Sequence, residues 1–319
     1  ATGFIGSYLA TKLRDRNDHV VALVRSPDKA DRLQELGCEL VQGDLTDEDS
    51  IRVGTKGCDA VFHAAAVYKV GIPETERAAM YEANVGGTER VLDAAIEEGV
   101  ARVVYVSTVN VFGNTHRRVV DETYERPPGE YLSYYDETKF LAHQAAKRRI
   151  EAGAPVIIVQ PGGVYGPGDT SEMSNLIDQV RTGRLKFKMF PDSGLNMAHV
   201  EDITEGILLV HDKAEIGQTY VLGGQITTFG EIIDVISELS GRRPPRFTMP
   251  GPFIKMSIPF APLVTKAMRL PPNLRELIRA GSGVTYWATD QKARRELGYT
   301  SRDLRTGMRE TLAADRVGT

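Results

Sequence analysis

The stretch ATGFIGSYLA (residues 1–10) carries two glycines, Gly3 and Gly6, with the spacing of the second half of a glycine-rich loop. In a phosphate-binding loop, glycines allow a tight turn and a close backbone approach to pyrophosphate, and the next helix directs its N-terminus at that charge. The run HVVALV (19–24) begins 13 residues after Gly6, as the second strand of a βαβ unit would. The alternative is a glycine turn that only opens a helix, and half a motif does not exclude it.

Short β-branched runs and longer helical patterns alternate over the following residues. The helical patterns include 86–100 and 134–153, which Gly99 and Gly153 are placed to end. This alternation predicts parallel βαβ units and therefore an α/β fold with a doubly wound parallel sheet, the Rossmann fold. The predicted strands are HVVALV (19–24), DAVFHAAA (59–66), RVVYVST (102–108) and APVIIVQP (154–161).

The residue pattern changes after residue 166. The chain becomes polar and rich in loops there, before a further strand pattern, QTYVLGG. We therefore expect a dinucleotide-binding domain over residues 1–165 plus about 199–225. A smaller, discontinuous substrate-binding lobe is expected over about 166–198 and 226–319. Ligands of open α/β sheets bind at the carboxyl ends of the strands, and this lobe would lie there.

Composition narrows the classes of function. The 319-residue chain has a formal net charge of −4 at pH 7, too small to recruit nucleic acid. Cys38 and Cys58 give neither a disulfide framework nor a C-x-x-C metal motif. No run reaches the ~20 apolar residues of a membrane span. We expect a cytoplasmic protein that needs no metal.

The residue at the end of the second strand of the unit selects the cofactor. A carboxylate there would bind the adenosine ribose of NAD, but this chain has Arg25, with Ser26 and Lys29 nearby. A guanidinium suits the 2′-phosphate of NADP, so NADP(H) is the favoured cofactor. NAD(H) remains the alternative, because Asp28 could bind the ribose hydroxyls. Asp44, in GDLTD, is placed to accept from the adenine amino group, with a helix cap as its alternative role.

Tyr135 and Lys139 are four residues apart on a predicted helix and therefore share a face. A nearby ammonium lowers the pKa of a phenol, which makes tyrosine a useful proton donor to a carbonyl. Tyr8 and Lys12 have the same spacing, so spacing alone does not choose. A hydroxyl at the end of a predicted strand completes the Tyr135 set: Thr108 is the first choice and Ser107 the second.

Together these motifs resemble the extended short-chain dehydrogenases/reductases, which are NAD-dependent epimerase/dehydratase-like. Within them the chain is most similar to the dihydroflavonol-reductase-like branch, which includes sugar epimerases associated with hopanoid synthesis. The resemblance is ordered and spans nearly the whole chain. It runs through ATGFIG, GDLTD, VFHAAA, NVGGT, VYVSTVNVFG, YDETK, QPGGVYGPGD, HVEDITEGI and WATDQKARRELGY.

The resemblance implies roles for the matched residues. Tyr135 would be the catalytic acid/base, Lys139 would hold the nicotinamide ribose and lower the tyrosine pKa, and Thr108 would bind the substrate oxygen. Gln160 stands where an arginine is frequent in that motif, so no role of that arginine is carried over. Cofactor contacts are implied for Gly3, Phe4, Ile5, Gly6, Arg25, Asp44, Leu45, Ala64, Ala65, Asn84, Tyr135, Lys139, Pro161, Gly162 and Val164.

Two features concern the ends of the fold and its assembly. In the family, a first strand and a leading glycine precede the motif at Gly3, so we expect the natural protein to begin roughly 6–10 residues earlier. The family also pairs helices equivalent to 86–98 and 134–152 in a four-helix bundle, which makes a homodimer the expected assembly.

The substrate is the least defined part of the prediction. A cluster of Arg181, Arg184, Lys186 and Lys188 is either a phosphate clamp or a solvated basic face. The apolar run MSIPFAPLV (256–264) either packs the smaller lobe or contacts a lipophilic ligand or membrane surface.

The leading hypothesis is an NADP(H)-dependent reductase of a ketone or aldehyde on a small apolar molecule. The second is a nucleotide-sugar epimerase or dehydratase with tightly bound NAD, and the third is a non-catalytic NADP-binding regulator.

Overall fold

The structure, a computed structural model, describes residues 1–249 and 273–317. The apolar run at 256–264 lies outside the described residues. In chain order, the strands are β1 (Val21–Val24), β2 (Glu39–Gln42), β3 (Ala60–His63), β4 (Arg102–Val106), β5 (Val156–Pro161), β6 (Gly163–Tyr165), β7 (Gly194–His199), β8 (Thr219–Leu222), β9 (Gln225–Thr228) and β10 (Thr285–Tyr286).

A four-stranded parallel sheet in the order β3-β4-β5-β8 forms the centre of the molecule. Its strands are short apolar runs buried on both faces: Val103 and Val104 in β4, and Ile157 and Ile158 in β5, are all 0% exposed. Strands with both faces covered read as continuous apolar runs rather than alternating ones. The sequence prediction of an α/β fold with a parallel sheet is confirmed.

Helices cover both faces of this sheet. On one face Leu9 and Ile203 contribute to a buried cluster with β4 and β5. On the other face Leu92 and Ala142 contribute to a second cluster with the same strands. The α-helices are Phe4–Asp15, Asp31–Glu35, Glu48–Thr55, Arg77–Tyr81, Gly87–Glu97, Tyr134–Glu151, Glu172–Arg181, Val200–Lys213, Phe229–Leu239, Leu274–Gly281, Gln291–Leu297 and Leu304–Val317.

The described residues form two further sheets beside the central one. β1 and β2 form a parallel two-stranded sheet that is not hydrogen-bonded to β3, and the amino group of Ala1 donates to the Leu23 carbonyl at 2.9 Å. The other sheet has the order β10-β7-β6, with β9 antiparallel to β7. The expectation about where the natural protein begins stays a prediction.

Local sequence signals explain where several helices begin and end. Gly99 and Gly153 follow their helices with φ of +69° and +90°, a region that favours glycine and ends a helix. The helix Phe229–Leu239 begins with a capping box in which Thr228 and Glu231 bond each other's backbone N–H. Among the described residues, no helix combines the length and apolar character needed to cross a membrane.

Candidate active site

The helix Phe4–Asp15 presents its N-terminus without a capping side chain and without an acidic residue in its first turn. The first N–H groups of such a helix have no intrahelical partner and suit an anion. A Cβ on Gly3 would meet no heavy atom within 4 Å, whereas one on Gly6 would lie 2.8 Å from the Ala1 carbonyl oxygen. The open approach at Gly3 and the tight packing at Gly6 fit a bound pyrophosphate.

A cavity of about 450 Å³ lies at the carboxyl ends of β1 and β2, lined by Arg25, Gln42, Gly43, Asp44 and Asp47. The Arg25 side chain is 83% exposed, with its Nε 3.9 Å from a carboxylate oxygen of Asp44. Sequence reasoning missed Gln42 and Asp47 as lining residues, because a pattern does not show which neighbours of a strand end face a cavity.

The sequence left open whether Asp44 binds the adenine or caps the next helix, and the structure gives the cap to Asp47. Asp44 Oδ1 accepts from the backbone N–H and the hydroxyl of Thr46, at 3.1 and 3.0 Å. Asp47, not Asp44, caps the next helix by accepting from Ser50 N. Leu45 packs against Gly87, where a Cβ would lie 2.8 Å from the Leu45 Cβ.

Thr108 and Tyr135 meet at the carboxyl end of the central sheet. Thr108 follows β4 and caps a short 3₁₀ turn by accepting from Asn110 N at 3.2 Å. Tyr135 is the second residue of the helix Tyr134–Glu151, which Ser133 caps. Thr108 is 8% and Tyr135 6% exposed, so both hydroxyls lie in a largely dry site.

The pKa of Tyr135 is raised well above its ordinary value because burial disfavours the phenolate, while a hydrogen bond with Thr108 acts in the opposite direction. The sequence analysis expected a lowered pKa, whereas the net shift in the structure is upward because desolvation is its largest cause. A phenol with a raised pKa stays protonated at neutral pH and can serve as a proton donor.

Lys139 lies one helical turn after Tyr135 and is 3% exposed. Its Nζ donates to the Val106 carbonyl at 3.1 Å and to the Tyr105 hydroxyl at 3.4 Å. Burial lowers the pKa of Lys139 to about 8, so the buried ammonium is held at some cost in stability.

Buried polar side chains pack around Tyr105, the tyrosine that Lys139 contacts. His63 stacks on Tyr105, with ring centroids 5.5 Å apart, and its Nε2 is 3.0 Å from Thr88 Oγ1. Burial lowers the pKa of His63 to about 3, so this histidine is neutral, as expected for a satisfied core residue. Ser107, the second choice for the substrate hydroxyl, instead pairs with His143 Nδ1 at 3.0 Å.

Asn84 lies in a π-helical turn, Glu82–Gly86, inside the longer helical stretch, a feature frequent at functional sites. Its side chain accepts from Val67 N at 2.7 Å and donates to the Val67 carbonyl and to Thr138 Oγ1, both at 3.0 Å. Asn84 therefore ties the loop after β3 to the helix that carries Tyr135. Ala64 and Ala65 begin this loop.

Tyr68, in the same loop, was not identified from the sequence. Its ring meets that of Tyr135 edge-on, with centroids 4.8 Å apart, and it is 54% exposed. Across the site, Gly162 separates β5, which ends at Pro161, from β6, which contains Val164. A Cβ on Gly162 would lie 2.0 Å from the Asn196 carbonyl oxygen, so only glycine fits there.

The second tyrosine–lysine pair is engaged elsewhere. The Tyr8 hydroxyl donates to the Pro167 carbonyl at 2.9 Å, and Lys12 pairs with Glu205 at 3.0 Å. Tyr134, which directly precedes Tyr135, lies under Arg77, whose guanidinium carbon is 5.0 Å from the Tyr134 ring centroid. Neither tyrosine has a buried lysine one turn later in its helix, as Tyr135 has in Lys139.

The described residues contain one group of possible metal ligands, although none was expected. His199, Glu201 and Glu310 bring ligand atoms within 4.8 Å of one another. Arg302 lies among them, 3.0 Å from Glu201, and also pairs with Glu310. Its guanidinium supplies the positive charge that balances these carboxylates.

A test of the buried lysine is the stability of Lys139→Met. The pKa falls from 10.5 to about 8 on folding, which corresponds to about 3 kcal/mol at 1.36 kcal/mol per unit. This cost is fully present below pH 8 and is relieved as pH rises toward 10.5, because there the unfolded chain holds a proton that the folded chain has released. We expect Lys139→Met to be more stable than the parent at pH 7, with a gap that closes toward pH 10.5.

Urea unfolding at pH 7 and pH 10 measures this difference, with Lys12→Met as the matched control, because the Lys12 side chain is 29% exposed. A destabilised Lys139→Met at pH 7 would contradict the account of burial given above.

The parallel sheet with helices on both faces and the uncapped glycine helix define a Rossmann-type fold. Tyr135, Thr108 and Lys139 are its candidate acid–base residues. A family model described as "NAD dependent epimerase/dehydratase family" matches residues 1–223. The chain belongs to this family, and the resemblance to the extended short-chain dehydrogenases/reductases is confirmed. It is an NAD(P)-binding oxidoreductase of that family, whose enzymes act on CH–OH or C=O groups.

Two proteins match nearly the whole chain with sequence identities of 31% and 30%. The 4-hydroxy-2-methyl-3-oxo-4-farnesyl-3,4-dihydroquinoline-1-oxide ketoreductase of Stigmatella aurantiaca is 31% identical over 310 residues, 94% of this chain and 90% of that protein. The crystal structure of gox2253 has a TM-score of 0.86 and 30% identity, over 100% of this chain and 96% of that one.

A third relative has bound ligands. MoeE5 in complex with UDP-glucuronic acid and NAD has a TM-score of 0.79 and 26% identity, over 99% of this chain and 97% of that one. Ketoreductase and nucleotide-sugar relatives are therefore both found.

Proposed function

We propose that the protein reduces a ketone or aldehyde on a small apolar molecule with NADPH. The bound cofactor would supply the hydride. The Tyr135 phenol donates its proton to the carbonyl oxygen of the substrate, and the Thr108 hydroxyl donates a hydrogen bond to the same oxygen. Because burial raises the pKa of Tyr135, the group is held in the protonated form that reduction requires.

Lys139 supports the same direction of reaction. Once Tyr135 has given up its proton, the buried ammonium stabilises the phenolate. The bonds to the Val106 carbonyl and the Tyr105 hydroxyl orient the ammonium, and Asn84 holds the loop that follows β3.

The choice of substrate class rests on one observation: cations of the basic cluster at residues 181–188 form ion pairs with nearby carboxylates. Arg181 and Arg184 both pair with Asp178, and Lys188 pairs with Asp234 at 2.6 Å. A diphosphate would have to compete with these carboxylates for its cations. The solvated-face interpretation of the cluster is therefore favoured, and a nucleotide-sugar clamp at this position is disfavoured.

The ketoreductase of Stigmatella aurantiaca supports this proposal, because its name describes a ketone reduction on a farnesyl-bearing molecule. The alternative is a nucleotide-sugar epimerase or dehydratase with tightly bound NAD. MoeE5, which holds NAD and a UDP-sugar, favours that alternative.

One experiment separates the two functions. The full-length protein is purified without added nucleotide, denatured, and the released dinucleotide identified by mass. The reductase proposal expects an empty protein that binds NADPH more tightly than NADH and reduces carbonyl compounds in a screen. Stoichiometric retained NAD would overturn it in favour of the epimerase class.

Arg25 gives a sharper test of cofactor preference. Its exposed guanidinium beside the cavity suits a 2′-phosphate, and a hydrogen bond to a charged group contributes about 1.5–3 kcal/mol. We expect Arg25→Gln to weaken NADPH binding by about 10–100-fold and to leave NADH binding unchanged. Fluorescence titration measures both affinities.

Arg52→Gln is the matched control, since Arg52 is exposed and pairs with Glu97 away from this cavity. Equal losses for NADPH and NADH in Arg25→Gln would contradict an NADP preference.

We also propose a cytoplasmic homodimer. The helices Gly87–Glu97 and Tyr134–Glu151 use apolar faces on the central sheet and are joined to each other by Arg149 and Asp93 at 2.6 Å. Ile96, 39% exposed, lies on the outer side of the first helix. Size-exclusion chromatography with light scattering tests the assembly, and a monomer at all concentrations would refute it.

A further inference from the structure

A buried carboxylate joins two segments of the candidate active site. Glu276 lies on the helix Leu274–Gly281 and is 3% exposed. Its Oε1 accepts from Tyr134 N at 3.0 Å and from Gly71 N at 3.1 Å. A single oxygen therefore bonds both the start of the helix that carries Tyr135 and the loop that follows β3.

The other side of the carboxylate is also occupied. Asn273 Nδ2 donates to Glu276 Oε2 at 3.2 Å, and Arg77 Nη2 lies 3.6 Å from the same oxygen. A buried charge is tolerated only when it is paired and hydrogen-bonded. The contacts to Glu276 meet this requirement, so its side chain is fixed.

Tyr68 and Tyr135 contact each other, and each lies on one of the two segments that Glu276 Oε1 bonds. Tyr134 directly precedes Tyr135, and Gly71 lies three residues after Tyr68. Gly71 is held from its other side as well, because Asn273 N donates to its carbonyl at 3.0 Å. The edge-on contact of Tyr68 with Tyr135 therefore depends on where this oxygen lies.

We propose that Glu276 is a positioning residue for the acid–base site, whose Oε1 sets the placement of Tyr68 relative to Tyr135. Glu276 bonds the backbone N–H groups of the two segments, so it acts on the tyrosines through them. The effect on catalysis rests on the proposed function of Tyr135, whereas the effect on the backbone does not.

The test compares Glu276→Ala and Glu276→Gln by two measurements. In hydrogen–deuterium exchange with mass spectrometry, Glu276→Ala exposes the amides of Gly71 and Tyr134, and we expect exchange there to be faster by about tenfold or more. In steady-state kinetics, we expect kcat to fall by about 10–100-fold, since a misplacement of about 1 Å has an effect of that size, while the KM for NADPH is unchanged.

Glu276→Gln keeps one oxygen that can accept both N–H groups, so it should restore most of the exchange protection and most of kcat. The matched control is Glu231→Ala, which removes a carboxylate that caps the helix Phe229–Leu239 by accepting from Thr228 N at 2.8 Å. This control should alter exchange at its own helix start and leave kcat unchanged.

Two outcomes would overturn the proposal: unchanged exchange at Gly71 and Tyr134 in Glu276→Ala, or changed exchange with an unchanged kcat. A parent protein that reduces no carbonyl compound would count against the proposed function alone, because the exchange measurement still decides whether Glu276 holds the two segments.

Discussion

Tyr135→Phe is expected to lose about 10²–10⁴-fold in turnover, the usual contribution of a positioned proton donor, while its affinity for NADPH is retained. The substitution removes only the hydroxyl. The ring, 6% exposed and in edge-on contact with Tyr68, keeps its packing. Thr108 keeps its bond with Asn110 N, so the neighbouring groups stay in place. Steady-state rates with a carbonyl substrate and fluorescence titration with NADPH measure the two quantities.

The chain supplies two matched controls for this experiment. Tyr134→Phe removes the adjacent phenol, whose ring lies under Arg77, and Tyr8→Phe removes the phenol of the other tyrosine–lysine pair, which bonds the Pro167 carbonyl. Both controls should keep near-normal turnover. Near-normal turnover of Tyr135→Phe, or an equal loss in Tyr134→Phe, would refute the assignment of the proton donor.

The central part of the fold could be predicted from the sequence because its strands are buried on both faces. The run RVVYV becomes β4, in which Val103 and Val104 are fully buried, and an uninterrupted apolar run of this length has few other uses. Gly99 and Gly153 could be assigned as helix stops because the left-handed backbone they adopt favours glycine.

The three central residues of the candidate site could also be predicted from local sequence. Tyr135 and Lys139 are one helical turn apart, and Thr108 follows a strand, so local geometry brings each close to its expected place. Whether these three residues carry the reaction stays a prediction that the variants above test.

Other parts of the site depend on contacts between distant segments or on burial. Glu276 meets Tyr134 across 142 residues of sequence, and no local pattern marks a carboxylate that accepts from a remote helix start. The direction of the Tyr135 pKa shift depends on how dry its surroundings are, and a four-residue spacing cannot show desolvation.

Arg126 and Asp136 form a buried ion pair, and removing its cation should have the largest effect on stability. The side chains are 4% and 0% exposed, and the guanidinium bonds both carboxylate oxygens, at 2.8 and 3.1 Å. Arg126→Met would leave the Asp136 charge with backbone partners such as Leu132 N at 2.8 Å. We expect a loss of about 3–5 kcal/mol in the free energy of unfolding, measured by urea denaturation.

The contrast with an exposed pair makes this prediction specific to burial. Lys12→Met breaks the pair with Glu205, whose side chains are 29% and 56% exposed, and should cost no more than about 1 kcal/mol. Replacing both buried partners, as in Arg126→Met with Asp136→Leu, should recover much of the loss, because no uncompensated charge then remains in the interior. A loss in Arg126→Met no larger than that in Lys12→Met would mean that water reaches Asp136 beside the proposed proton donor. In that case the dry environment invoked for the raised pKa of Tyr135 would be wrong as well.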